Sequence, residues 1–173
     1  MQTIAAVLSL LLFAASSPDT RTSELLASFS KTKYAHATKH GVTKSRYKDM
    51  HGEAVVRADR ASYSGAYRVQ GLPYSLRLTV SDAGAITGDG SDDGRPFVLR
   101  DARIEGALLT ATKVFAGGAT APLEGVFMDL VDREGTSPQA LTHSARTYGL
   151  GVVLHDPLRR DSVNFEKLFY QRD

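Results

Sequence analysis

Between positions 76 and 81 apolar and polar side chains take turns: Leu76, Leu78 and Val80 alternate with Arg77, Thr79 and Ser81. A two-residue period is what a strand with one face in a core produces. The spacing predicts further strands over 54–58, 65–71, 85–90, 96–104, 108–115, 120–131, 148–155 and 162–170. Between them lie Asp82-Ala83-Gly84, Asp92-Asp93-Gly94, Glu105-Gly106, Gly117-Gly118 and Asp156-Pro157, residues that tolerate positive φ or are pre-set for a turn. Short strands joined by tight turns make an antiparallel meander of about eight strands. The expected fold class is therefore all-β. A small barrel, which leaves no exposed edge, is the first architecture, and a two-sheet sandwich is the second. A short N-terminal helix is expected over 22–29, where Leu25, Leu26 and Phe29 fall on one face after a Thr22 or Ser23 cap.

Over 63–173 this glycine-turn meander resembles avidin- or lipocalin-type barrels in architecture. The lipocalin G-x-W opening is absent, since the chain has no Trp and reads Gly65-Ala66-Tyr67 at the corresponding place. The resemblance therefore implies a fold and carries over no ligand-binding residue. A barrel of this size is either filled by its own side chains or holds one small ligand. Leu76, Leu78, Val80, Phe97, Leu99, Leu109, Phe115, Phe127, Leu150, Val152, Leu154, Phe165 and Phe169 suffice to fill it. Gly65, Gly88, Gly125, Gly149 and Gly151 would leave a cup if they faced inward.

The rest of the chain divides into two earlier segments. Residues 4–15 read IAAVLSLLLFAA, twelve residues with only Ser9 polar, and the run ends in the small residues Ala14-Ala15-Ser16-Ser17. The run is too short to span a bilayer as a helix and fits the apolar core of a secretory signal. Residues 1–16 are thus expected to be a signal peptide, 17–52 a short helix with a basic linker or arm, and 53–173 the barrel. The expected location is secreted or periplasmic, with no transmembrane span. The chain has no Cys, which removes disulfides, thiolate metal sites and a cysteine nucleophile. An exported form must hold its fold by burial alone.

Charge alters this picture at one place. The whole chain carries 21 Lys+Arg and 19 Asp+Glu, close to neutral. Residues 31–48 contain Lys31, Lys33, Lys39, Lys44, Arg46 and Lys48 and no acid. Such a segment attracts an anionic surface. For an exported protein that surface is an anionic cell-envelope polymer, and no specific nucleic acid is expected.

Motifs for chemistry are sparse. Asp89-Gly90-Ser91-Asp92-Asp93-Gly94 matches the opening of a calcium loop, but the twelfth position is Arg100, where a bidentate Glu belongs, so a Gly/Asp-rich turn is preferred. His36 and His40 are four apart without the intervening Glu of a metalloprotease helix. Gly135-Thr136-Ser137-Pro138-Gln139 lacks the second glycine of a nucleophile elbow, with His143 six residues beyond Ser137. Glu124 and Asp129 are an odd number apart on one strand and so face opposite ways. No catalytic residue, metal site or cofactor is assigned. The expected function is an exported, non-catalytic barrel binding a small apolar ligand or a cell-envelope partner. The alternatives are docking on an anionic surface through the basic arm, and a hydrolase working from the 132–147 loop.

Overall fold

A computed structural model describes residues 17–30, 50–132, 146–155 and 167–173. The described chain is mostly β, with one helix. In chain order the elements are α1 (Pro18–Ser30), β1 (Met50–Ala54), a 3₁₀ turn (Arg60–Tyr63), β2 (Gly65–Arg68), β3 (Ser75–Val80), β4 (Ile86–Asp92), β5 (Arg95–Glu105), β6 (Leu108–Phe115), β7 (Thr120–Asp132), β8 (Arg146–Val153) and β9 (Lys167–Arg172). Every pairing is antiparallel. Strands β2 to β9 each pair with the next, and β9 returns to β2, closing an eight-stranded barrel. The closing seam is short: Tyr67 pairs with Arg172 and Arg68 with Gln171. Strand β1 is extra and extends the line of β6 along the far half of β7, with Met50 opposite Asp132 and Ala54 opposite Met128.

The alternation read from the sequence decides which way each side chain points. On β3 the apolar members Leu76, Leu78 and Val80 are buried, while Arg77 and Thr79 are exposed. Inward positions of β4 and β5 include Asp92 and Phe97. Those of β6 are Leu109, Ala111, Lys113 and Phe115, and those of β7 are Ala121, Leu123, Gly125 and Phe127. The Asp93-Gly94 pair forms the two-residue β4–β5 turn, with φ of 53° and 80°, the positive values such a tight hairpin requires.

Of the two outcomes left open, a filled lumen or a cup, the first holds beside the inward glycines, where the space is filled. A Cβ at Gly90 would lie 2.6 Å from the Phe97 ring, and one at Gly88 would lie 2.8 Å from Leu99. At Gly125 it would meet Val152 at 3.1 Å and Leu150 at 3.3 Å. These inward glycines are small because a neighbouring strand's side chain already lies across them. Gly149 and Gly151 face outward instead. Phe169, expected in the lumen, covers Gly149 from outside, and Phe29 of α1 covers Gly151. The error came from β8 and β9, whose inward sets are Tyr148, Leu150, Val152 and Leu154, and Leu168, Tyr170 and Arg172.

Helix α1 starts earlier than its apolar spacing suggests. Ser17 caps it, accepting from the Thr20 N–H at 3.3 Å, and Pro18 occupies the first turn, where its missing N–H costs nothing. Thirteen residues make a helix that is marginal alone. It is held by Leu25, Leu26 and Phe29, which pack on Leu108, Val126 and Met128 outside the barrel. Arg21 adds a two-pronged contact to Glu124, with both N···O distances 2.6 Å. Among the described residues no helix is long and apolar enough to cross a membrane.

Candidate functional site

Two groups of polar side chains occupy the barrel, one toward each end, and they differ in how completely they are satisfied. The first is made by Asp92 at the end of β4, Lys113 on β6 and Tyr170 on β9. Lys113 shares its face with Leu109 and Phe115, so the sheet's alternation forces it inward. Its side chain is 0% exposed and that of Asp92 is 3% exposed. Lys113 Nζ donates to Asp92 Oδ2 at 2.5 Å and lies 5.1 Å from the centre of the Phe97 ring. Tyr170 Oη donates to Asp92 Oδ1 at 3.4 Å. Burial, reinforced by the nearby Asp92 charge, holds the Tyr170 phenol well above its ordinary range. A buried charge must be paired and hydrogen-bonded to be tolerated. The Lys113–Asp92–Tyr170 trio is balanced and enclosed, which suits a structural pin; Arg95, the register partner of Asp92, adds a second cation over the Phe115 ring, its Nη1 buried.

The second group closes the opposite end and is aromatic and cationic. The 3₁₀ turn carries Tyr63 to the barrel axis, where its ring meets Phe127 at 4.4 Å between centroids. Tyr63 Oη donates to the Gly106 carbonyl at 2.9 Å and accepts from the Arg57 N–H at 2.8 Å. Tyr67 Oη donates to the Tyr63 carbonyl at 2.6 Å, and burial raises the Tyr67 phenol far above its usual range. Tyr148, at the start of β8, stacks on Phe127 at 6.4 Å with 11° between the rings.

Two guanidinium groups lean on that one Tyr148 ring, Arg57 at 4.2 Å and Arg172 at 5.7 Å from its centre. Arg172 is anchored, donating from Nη1 to the Ser62 carbonyl at 3.0 Å and from Nη2 to the Ser64 carbonyl at 2.8 Å. Arg57 is not. Its guanidinium has no carboxylate partner among the described residues, and its Nε is buried without a hydrogen bond. Tyr148 Oη is likewise buried without a partner of ordinary hydrogen-bond geometry. Burial, the largest influence, raises the Tyr148 phenol, while hydrogen bonding and charge from Arg57, and hydrogen bonding from the Tyr67 hydroxyl, work against it. Native interiors leave few polar atoms in this condition, and each calls for an explanation.

The residues singled out from sequence fall elsewhere. Lys31, Lys33, Lys39, Lys44, Arg46 and Lys48 lie outside the described residues. So do His36, His40, His143, Ser137 and most of the 132–147 loop. The calcium-loop reading fails in the structure: Asp92 turns into the barrel toward Lys113, while Asp89 and Asp93 are exposed. Their carboxylates therefore do not converge on one ion. No group of three or more His, Asp or Glu side chains converges among the described residues. Glu124 and Asp129 do face opposite sides of β7, and Glu124 is taken up by Arg21, which lowers its carboxyl below the usual range. Sequence reasoning missed Lys113, Tyr63, Tyr148 and Arg57, and it placed Asp92 in a turn rather than in the barrel. Lys113 was legible in principle, as a charge sharing the parity of Leu109 and Phe115. Arg57 was not, because it follows β1 in an irregular stretch. No known family, no curated protein and no solved structure matches the chain.

Proposed function

We propose that the chain is an exported, non-catalytic β-barrel that binds a small ligand at its Tyr148 end rather than in a deep cup. The observation that carries this reading is the pair of buried, unpartnered polar atoms, Arg57 Nε and Tyr148 Oη, set among aromatic rings. Small-ligand sites join mostly apolar walls to a few converging polar groups, and the mouth of a barrel is a common place for them. The rings of Tyr63 and Phe127 are enclosed, so a ligand would have to part them from Tyr148 to use them as apolar walls. The lumen offers less room, since its inward glycines are already covered by Phe97, Leu99, Leu150 and Val152. Export rests on the apolar run at 4–15 and the small residues that follow it. A cut after Ser16 would leave Ser17, the cap of α1, in place. The basic arm at 31–48 would then hold the barrel near an anionic envelope surface.

The test is a screen of small apolar and amphipathic fragments followed by the tyrosine ring resonances. A binder is expected to move Tyr67 and Tyr148 and to leave Tyr170 in place. Binders that move Tyr170 and leave Tyr148 unchanged would put the ligand in the lumen and overturn the reading, as would a screen in which no ring moves.

A further inference from the structure

Helix α1 lies outside a barrel that is closed without it. Strands β2 to β9 complete the ring of pairings, and α1 takes no part in it. The outer face beneath the helix is nonetheless apolar. Val126 and Met128 on β7 point away from the lumen and are buried, with Leu25, Leu26 and Phe29 packed over them. Outward positions of an antiparallel sheet are ordinarily polar, so this face is shaped for a cover.

The cover is fitted side chain by side chain. A Cβ at Gly52 of β1 would lie 3.2 Å from Leu26, and one at Gly151 of β8 would lie 2.7 Å from the Phe29 ring, so both glycines clear a seat. At the other end of the helix Arg21 grips Glu124 with two N···O distances of 2.6 Å. Arg21, Leu25 and Phe29 follow one another at intervals of four, along one face of the helix. The ion pair at one end and the Phe29 seat at the other set direction and register. Amphipathic helices are held in grooves by such anchors between chains as well as within them.

We infer that this groove is a helix-binding site whose partner is the α1 of a second copy, taken in exchange for its own. A second copy presents the same spacing of Arg, Leu and Phe, the chemistry for which the groove is cut. The connection does not confine the helix to its own barrel. Residues 31–49, nineteen of them, join Ser30 to Met50 and at full extension reach about 65 Å. The tether keeps each helix at an effective concentration on the order of 1 mM around its own groove. Docking within one chain therefore prevails in dilute solution, and exchange sets in as the chain concentration approaches that level.

The experiment removes the tether's advantage by breaking a different half of the contact in each of two chains. A receiver carries Leu25→Ser and Phe29→Ser, which spoil its helix and leave its groove empty. A donor carries Gly151→Leu, which fills the Phe29 seat and sets its helix free. Isotope-labelled receiver is titrated with unlabelled donor, and the amide resonances of Val126, Met128 and Gly151 are followed. They are expected to shift saturably as a one-to-one complex forms in sedimentation, at least tenfold tighter than either variant's association with itself. Adding Arg21→Ala to the donor should weaken the complex severalfold. A synthetic peptide of residues 17–30 should move the same amides, and it supplies the donor helix if the Gly151→Leu chain does not fold. The inference is overturned if neither donor moves these amides, or if the receiver associates with itself as tightly as with the donor. A receiver that fails to fold would also overturn it, because α1 would then belong to the barrel's own core. Shifts produced by phosphatidylcholine vesicles and not by the donor would make the face a membrane contact instead.

Discussion

Replacing Lys113 by Met tests what the buried pair inside the barrel does. Met has nearly the length of Lys without its charge, so the packing against Phe97 is largely kept. The Lys113 side chain is 0% exposed and that of Asp92 3% exposed, so water cannot take the place of the lost ammonium. The stranded Asp92 keeps only the Tyr170 hydroxyl, at 3.4 Å. Breaking one half of a buried pair typically costs about 3–5 kcal/mol. A domain of this size is stable by about 5–15 kcal/mol in total, so the variant should be marginal. The double variant Asp92→Leu with Lys113→Met removes both charges together. Such replacements are often neutral or stabilising by about 1–4 kcal/mol. The assay is urea unfolding followed by far-ultraviolet circular dichroism, since the chain has no Trp to report by fluorescence. The expected pattern is a large loss in each single variant and recovery in the double. A loss under about 1 kcal/mol in Lys113→Met, or a double variant as damaged as the sum of the singles, would refute the pairing argument.

Two further outcomes follow from the outer face and the glycines. Arg21 holds the Glu124 carboxyl below its ordinary range, so the contact stabilises α1 docking above the unfolded carboxylate range, near pH 4.3, and is lost as pH falls through the lowered folded value. Both groups are partly open to solvent, which screens the effect to about 1 kcal/mol or less. Protection factors of the α1 amides, taken against the intrinsic exchange rate at each pH, should fall between about pH 5 and 3, and a Glu124→Gln variant should lack that loss of protection. Gly125→Leu should overpack the lumen against Leu150 and Val152, whereas Gly151→Leu should expel Phe29 and leave the barrel closed; each should cost about 1–3 kcal/mol. Thermal melts compare the costs, and protection of α1 lost only in Gly151→Leu confirms which side each glycine faces.

The parts of the fold legible from sequence were those governed by neighbours along the chain. The alternation at Leu76, Leu78 and Val80 and the Asp93-Gly94 turn are local signals, and both appear in the structure as read. Direction was harder. On β8 the sequence Tyr148-Gly149-Leu150-Gly151 alternates large and small, and period alone does not say that the large set points inward. That is settled by pairing with β7, where Phe127 meets Leu150 and Met128 meets Gly149. The same limit hid Tyr170 and exchanged the role of Phe169. The helix boundary was missed for another reason: Ser17-Pro18 is a start signal, but it also belongs to the small-residue stretch after the apolar run, and the two readings compete for the same letters.

The two ends of the barrel make opposite uses of buried polarity. At the Asp92 end Lys113, Asp92 and Tyr170 answer one another, and Arg95 lies over the Phe115 ring beside them. At the Tyr148 end two cations meet one ring, and the chain supplies hydrogen-bond acceptors for only one of them. Burying a guanidinium edge and a phenol without partners destabilises a protein, by about 1–3 kcal/mol for each unsatisfied group. Aliphatic side chains at positions 57 and 148 would avoid that cost and still close the end. A closure built only for stability would therefore pair its charges as Lys113 and Asp92 do. The asymmetry is the physical reason to look for a ligand at Arg57 and Tyr148, because an acceptor arriving from outside recovers there what folding alone leaves unmade.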